Sequence, residues 1–345
     1  MKSSNKTDLR GKNVIEIQKL IPNEKPFRAK QIFRWVHSNG IKSFDEMKNL
    51  PKSLLENLSE IAEIQVPKIA KHEIDNETGT QKLALEFADG NQVECVLIPN
   101  PNGMTLCISS QIGCALGCKF CKTAFMKIRR NLTAGEIYSQ FLVARENSMA
   151  PITNIVFMGM GEPMMNFENV IRSADLLNHP DCGNISRRKI TISTAGVVQK
   201  IRDFTELGKK YKLAISLNAT TDELRRKLMP INQKNPIKSL LRAAENHAKK
   251  SGERVTFEYV MLEGVNMSDD DARRLNTMLR PIDCKLNLIP YNESNLKFKR
   301  PTNTMINEFY EKFENAPFPV LVRKSMGRKI KAACGQLAKS VPNQK

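Results

Sequence analysis

Cys114, Cys118 and Cys121, in the stretch CISSQIGCALGCKFC over residues 107–121, are the side chains of this chain best suited to chemistry by type and spacing. Three thiolates in a C-x3-C-x2-C run can hold three irons of a 4Fe-4S cluster and leave the fourth iron open to a small molecule. A structural zinc site wants four protein ligands, in pairs separated by longer gaps, so zinc with a distant fourth ligand is the alternative. Cys107 lies seven residues before Cys114 and out of step with it. An isolated cysteine in an apolar strand is by default a small buried hydrophobe, and the same default applies to Cys334 near the C-terminal end. Cys95, Cys182 and Cys284 read as structural.

The elements that must position this loop are legible as periodicity. Apolar residues recur at helical spacing from Asn13 to about Glu63, which predicts a small all-helical domain over residues 1–65. Alternation in TQKLALEFADGNQVECVLIP predicts a β-hairpin extension over residues 66–100, turning at Asp89-Gly90. From about 101 to 325 the pattern becomes strand then amphipathic helix, six times over: TLCISS, ITNIVFMG, KITIST, KLAISLN, VTFEYVML and KLNLIPY each precede a helical segment. Thr133 and Glu136 form a capping box at the first of these helices. A further strand, FPVLVRKS, follows the sixth helix, and a C-terminal segment of residues 326–345 carries Cys334. The fold class is therefore α/β, a partial (β/α)6 barrel of TIM type with its chemistry on loops at the C-terminal strand ends; a doubly wound open sheet would give a similar pattern.

Composition narrows the partners. The chain has 345 residues, enough for one large domain with a smaller appendage, and a formal net charge of +18. Residues 1–34 carry nine Lys/Arg against three acids, residues 296–345 carry eleven against three, and Lys119 to Arg130 holds five basic residues and no acid beside the cysteine loop. Three such patches, one abutting a candidate site, favour a polyanion such as RNA or DNA over a small neutral substrate. The N-terminus MKSSNKTDLRGKN has no apolar stretch, and no apolar run approaches the roughly 18 residues that span a bilayer. A cytoplasmic, reducing location is expected, where clustered cysteines serve as ligands or redox thiols.

C-x3-C-x2-C after the first strand of a β/α barrel resembles the radical S-adenosylmethionine (SAM) superfamily, in which the open iron binds the amino and carboxylate groups of SAM. GMGEP at 159–163 ends the second strand, as that superfamily's glycine-rich SAM-contacting segment does; glycines let backbone approach a ligand, and Glu162 can accept from its amine. Together with RRNLTAGEI, PITNIVFMGMGEP, RRKITISTAGVV, RRKLMPIN, KLNLIPYN and IKAACGQL, these segments resemble the RNA adenine-C2 methyltransferases of the RlmN/Cfr group from about residue 25 to 338. GEP in place of GEA points to the carbon-2 branch.

The resemblance implies two SAM molecules per turnover, one 4Fe-4S cluster on Cys114, Cys118 and Cys121, and an electron donor for it. It implies that Cys334 is methylated and carries the transferred carbon, that Glu94 in QVECVLIP assists proton loss, and that Cys107 releases the product by forming a disulfide with Cys334. By itself Glu94 would be a solvated strand residue. Basic neighbours Arg328, Lys329 and Lys331 are expected to favour that thiol exchange. SAM contacts carry over to Gly161, Glu162, Ser193, Ser216, Leu217, Asn218 and Asn292. The implied substrates are an adenosine of the large-subunit rRNA peptidyl-transferase region and a tRNA adenosine next to the anticodon, bound by a monomer. The alternatives are carbon-8 methylation of the same rRNA base, or a non-catalytic RNA-binding protein with a structural metal. Two departures stand out: Asn218 replaces a histidine, losing any proton role near neutral pH, and GRKIK replaces an aspartate-containing run before Cys334.

Overall fold

A computed structural model describes residues 6–294 and 296–337. Strand β1 (Thr7–Asp8) leads into helices α1 (Val14–Leu20), α2 (Pro26–Arg34) and α3 (Lys52–Ile61), then β2 (Ala62–Glu63). Asn13 and Glu16 cap α1 reciprocally, and α2 runs on into one wider turn that Gly40 ends at φ +70°. Leu9, Ile17, Ile32, Phe33, Val36, Leu54 and Leu58 close the small core. The module is not all helical: β1 pairs parallel with β2 and stitches its two ends together. Strands of two residues are too short to show an alternation, which is why periodicity misses them.

The module packs on the main body through the helix Ala134–Asn147 and a buried histidine. His37 Nε2 accepts from the Gly11 N–H at 3.1 Å and Nδ1 faces the Phe33 carbonyl at 3.0 Å, which defines a neutral ring protonated on Nδ1. Burial pulls its pKa down to about 3. The unfolded chain takes up this proton below about pH 6.5 while the folded one resists it. His37 thus makes stability fall as pH drops from about 6.5 toward 3. Thermal unfolding followed from pH 7.5 to 5 is expected to decline less steeply in His37→Gln than in the native protein.

Strands β3 (Lys68–Asp75), β4 (Thr80–Glu86), β5 (Gln92–Asn100) and β6 (Gly103–Cys107) form an antiparallel meander. The expected hairpin thus has one more strand than the sequence shows. Its Asp89-Gly90 turn joins β4 to β5, with Gly90 at φ +76°. The outer strand β3 is polar and mostly exposed, KIAKHEID, so it lacks a buried face to read; charged side chains also protect such an edge from pairing.

After β6 come the short pair β7 (Gln111–Ile112) and β8 (Arg130–Asn131), then α4 (Ala134–Asn147), β9 (Ile152–Phe157), α5 (Phe167–Asn178), β10 (Ile190–Thr194), α6 (Val198–Glu206) and β11 (Lys212–Ser216). Helices α7 (Asp222–Leu228) and α8 (Ile237–Ser251), β12 (Val255–Met261), α9 (Asp269–Leu279), β13 (Cys284–Pro290), α10 (Asn303–Glu311) and β14 (Val320–Val322) complete the order. Strands β6 and β9 to β14 are parallel neighbours, so the main sheet has ten strands, with β3 and β14 at its edges. This is the α/β, mostly parallel architecture expected. The meander is continuous with it through β5 and β6. Residues 134–144 of α4 are all buried, because the helix lies between the N-terminal module and the sheet; Tyr138 donates to the His37 carbonyl at 2.9 Å.

Candidate active site

One cavity, about 1000 Å³ including its open mouth, is lined by residues from the ends of β9 to β13, from the cysteine loop and from the segment after β14. Strands as far apart as β9 and β13 could not share one cavity in a flat sheet, so the sheet curls into an incomplete barrel.

The cysteine loop runs from β6 to α4. The β7–β8 pair closes its base, and Gly113 at φ +79° lets it cross under itself, where a Cβ would stand 2.4 Å from the Lys127 carbonyl oxygen. Backbone bonds from Cys114 to Met126, from Lys119 to Leu228 and from Lys122 to Gly335 then present Cys114, Cys118 and Cys121 to the cavity. Burial pushes all three thiols up, Cys114 to about 11; Cys121 adds to the rise of Cys114 and Cys118, and Cys334 adds to that of Cys121. Only a bound cation would hold three thiolates there. Among the described residues no three His, Cys, Asp or Glu side chains are set to grip a single metal ion.

Glu162 lines the same cavity. Burial pushes its carboxyl up to about 7, against the N–H groups of Ala195 and Met164 and the Thr194 hydroxyl that hold the charged form. The glycines around it have a second reason to be glycine. A Cβ on Gly161, at φ +98°, would lie 2.5 Å from Gln111 Cβ, and one on Gly159 would lie 2.7 Å from the Ile108 backbone. They bring the end of β9 against the end of β6 as well as opening to the cavity. Gly161→Ala is expected to cost about 2–5 kcal/mol through backbone strain and overpacking; the midpoint of thermal unfolding checks it.

Ser193, Ser216, Asn218 and Asn292 line the cavity as expected. Leu217 does not: its side chain is fully buried in the core and its carbonyl accepts from Arg225 Nε at 2.9 Å. Asn218 sits at φ +59°, a left-handed position that asparagine tolerates better than most residues. Its Oδ1 accepts from the Val260 N–H at 2.8 Å, and its carbonyl accepts from Asn266 at 2.9 Å, so it joins the end of β11 to β12.

Cys334 is half-buried and borders a second, smaller cavity as well as the first; Cys107 and Arg323 border that second cavity too. Cys334 is placed by Asn292, which donates to its carbonyl at 3.3 Å, and by Gln336, whose amide reaches the Glu293 carbonyl at 2.7 Å. Burial, then the nearby Cys334, pushes the Cys107 thiol up to about 12. The cation beside both thiols is Arg323, its own pKa raised first by Cys334 and then by Glu258 and Cys107. The expected cations stand elsewhere: Lys329 pairs with Glu77, and neither Arg328 nor Lys331 borders these two cavities.

Glu94 is buried, not solvated, and borders neither of these two cavities. It sits 3.4 Å from Lys82 Nζ, which also donates to the Ile330 carbonyl at 2.7 Å, four residues before Cys334. Glu94 thus reaches the Cys334 segment through a buried lysine, and it shares the face of β5 with Ile98, which borders the smaller cavity.

Three further residues of this site were not picked out from sequence. Glu258 and Arg323 could have been: each is a charge in or just after an apolar strand, VTFEYVML and VLVRKS. Arg225 could not, since it reads as part of a surface basic run. It is fully buried, donating to the carbonyls of Ala195 at 2.7 Å and Ser216 at 3.0 Å, and so ties the ends of β10 and β11 together.

A curled parallel sheet with a three-thiol loop after its first parallel strand defines a radical SAM fold, and the radical SAM superfamily profile matches residues 108–275. The crystal structure of a radical SAM methyltransferase from Sphaerobacter thermophilus superposes with a TM-score of 0.90 and 38% identity, covering 96% of this chain and 99% of that one. Residues 8–64 match the ribosomal RNA large subunit methyltransferase N-terminal domain. The dual-specificity RNA methyltransferase RlmN of Geobacter sulfurreducens is 43% identical over 96% of this chain and 91% of its own length. That of Geotalea uraniireducens is 43% identical over 96% of each. The chain belongs to the RlmN family and is a radical SAM RNA methyltransferase.

Proposed function

We propose that this enzyme methylates carbon 2 of adenosine, in the peptidyl-transferase region of large-subunit rRNA and next to the anticodon of tRNA. The observation that carries the reading is the placing of Cys334. It stands on the wall between a cavity bordered by three cluster-type thiols and a smaller one bordered by a second cysteine, Cys107. A methyltransferase that only displaced a methyl group from SAM would need neither cysteine, and carbon 2 of adenine is electrophilic, so it does not attack a sulfonium.

Cys114, Cys118 and Cys121 would hold the 4Fe-4S cluster, with Glu162, Ser193, Ser216, Asn218 and Asn292 around SAM. When bound, cluster and SAM supply, with an electron from an external donor, the one-electron chemistry that removes a hydrogen atom from an unactivated methyl group. Cys334 acts before and after that event. Its sulfur first takes a methyl group from one SAM, forming a carbon–sulfur bond as the sulfonium bond breaks. The same carbon, still on sulfur, is then joined to carbon 2 of the base, which links RNA to protein. Glu94, held by Lys82, is assigned the proton lost from carbon 2, and the unpaired electron left on the adduct would be given back to the cluster held by Cys114, Cys118 and Cys121. Cys107 then attacks the Cys334 sulfur: a sulfur–sulfur bond forms, the sulfur–carbon bond breaks, and its electron pair stays with carbon, which takes a proton to become the methyl group. Arg323 stabilises the thiolate that attacks.

The basic loop around the mouth, with Phe125 61% exposed among Lys122, Lys127 and Arg129, offers an RNA strand both charge and an aromatic face. Mass spectrometry of nucleosides from the rRNA and tRNA of cells with and without the gene tests the assignment. Loss of 2-methyladenosine from both RNAs is expected. No change in 2-methyladenosine would refute the reading, and loss of 8-methyladenosine in its place would move the reaction to carbon 8.

A further inference from the structure

Glu258 has one carboxylate oxygen that the fold does not use. It lies midway along β12, a central strand, and is buried, yet it borders the larger cavity. Asn287 on the neighbouring strand donates to its Oε1 at 3.0 Å. Its Oε2 is buried without a hydrogen-bond partner. A buried, unsatisfied carboxylate oxygen is costly, so such atoms are retained where something binds them. Burial raises the pKa of Glu258, while Arg323 within electrostatic range and the Asn287 hydrogen bond pull toward the ionised form, in which the side chain only accepts hydrogen bonds. The missing partner comes from the cavity, and a hydroxyl group fits it, since a hydroxyl donates to the charged form and accepts from the neutral one.

The place of Glu258 on the sheet says which donor. It pairs in register with Ser216 on β11, at the level where short polar side chains border the cavity. It is three strands along the sheet from β9, which leads to Glu162 and the cysteine end. The amino-acid portion of SAM belongs at that end. The donors left on SAM for the opposite wall include two vicinal ribose hydroxyls, and a carboxylate is a good acceptor for a ribose hydroxyl in a nucleotide site. We infer that Glu258 Oε2 accepts a hydrogen bond from a ribose hydroxyl of SAM, which makes Glu258 a specificity residue for the ribose; this rests on the reading of the larger cavity as the SAM site.

The test is equilibrium binding of SAM and of its 2′-deoxy and 3′-deoxy ribose analogues to the protein with its cluster in place, without oxygen. The native protein is expected to bind one deoxy analogue about ten- to a hundredfold more weakly than SAM, the range of a hydrogen bond to a charged group. Glu258→Gln should lose a similar factor for SAM and most of the discrimination against that analogue. The inference is overturned if the native protein binds SAM and both analogues equally. It is also overturned if Glu258→Gln weakens SAM and both analogues by one common factor, which would make Glu258 a support for Arg323 and the sheet. Should the variant fail to fold, the native comparison decides alone. Native protein that binds no SAM would remove the reading of the cavity together with the inference, whereas SAM binding without ribose discrimination removes the inference only.

Discussion

Cys334→Ala is expected to abolish RNA methylation, by at least about a thousandfold, because in the proposed reaction it deletes the atom that receives the methyl group and not a group that merely assists. The loss should be of a particular kind. Cys334 lies outside the three-cysteine loop, and the bonds that place its segment come from backbone carbonyls and from the Asn292 and Gln336 side chains. Alanine keeps all of these. The variant should hold iron and bind SAM as the native protein does, and mass spectrometry of the native protein should find Cys334 one methyl group heavier after incubation with SAM. RNA methylated at native rates by Cys334→Ala would show that the carbon never rests on this sulfur.

Cys107→Ala should produce the second large effect, in a different form: RNA joined to protein and not released. With no thiol beside the Cys334 sulfur, the carbon–sulfur bond to the base has nothing to break it, so the adduct accumulates. A denaturing gel should show a slow band that ribonuclease collapses. Free turnover by Cys107→Ala would refute the role. The environment of Cys107 adds a pH dependence. Burial pushes its thiol up to about 12, so near neutral pH only a small fraction is thiolate, and the thiolate is the nucleophile. Its population rises about tenfold per pH unit below that value. In the native protein, release from a preformed adduct is expected to accelerate from pH 7 to pH 9, and a chase experiment on isolated adduct measures it.

The barrel strands were readable because central parallel strands are apolar on both faces and bounded by helices of a different period. The meander was half readable: β4 and β5 bury side chains, while β3, at the edge with a polar face, does not. The same reason separates the site residues. Cys114, Cys118 and Cys121 could be picked out because all three thiols lie in one loop, and their spacing is itself the signal. Leu217 came with its neighbours in the motif, but its side chain turns into the core between two residues that face the cavity. Glu94 looked solvated by its alternation with apolar neighbours, and it is buried because Lys82 from the adjacent strand accompanies it.

By itself, then, the sequence determined the order of strands and helices, the three-cysteine loop and the basic surplus that favours a polyanion, because each is written in neighbouring residues or in composition. Resemblance assigned Cys334 and Cys107 to each other. Only the tertiary structure decided that the cation beside both thiols is Arg323 and not the lysines and arginine next to Cys334 in the chain, and that Glu258 turns an unused oxygen into the cavity. The physical reason is that the electrostatics of a buried site depend on which charges lie within a few ångströms. Curling the sheet brings β12 and the segment after β14 to one wall with the end of β6, whatever their separation along the chain.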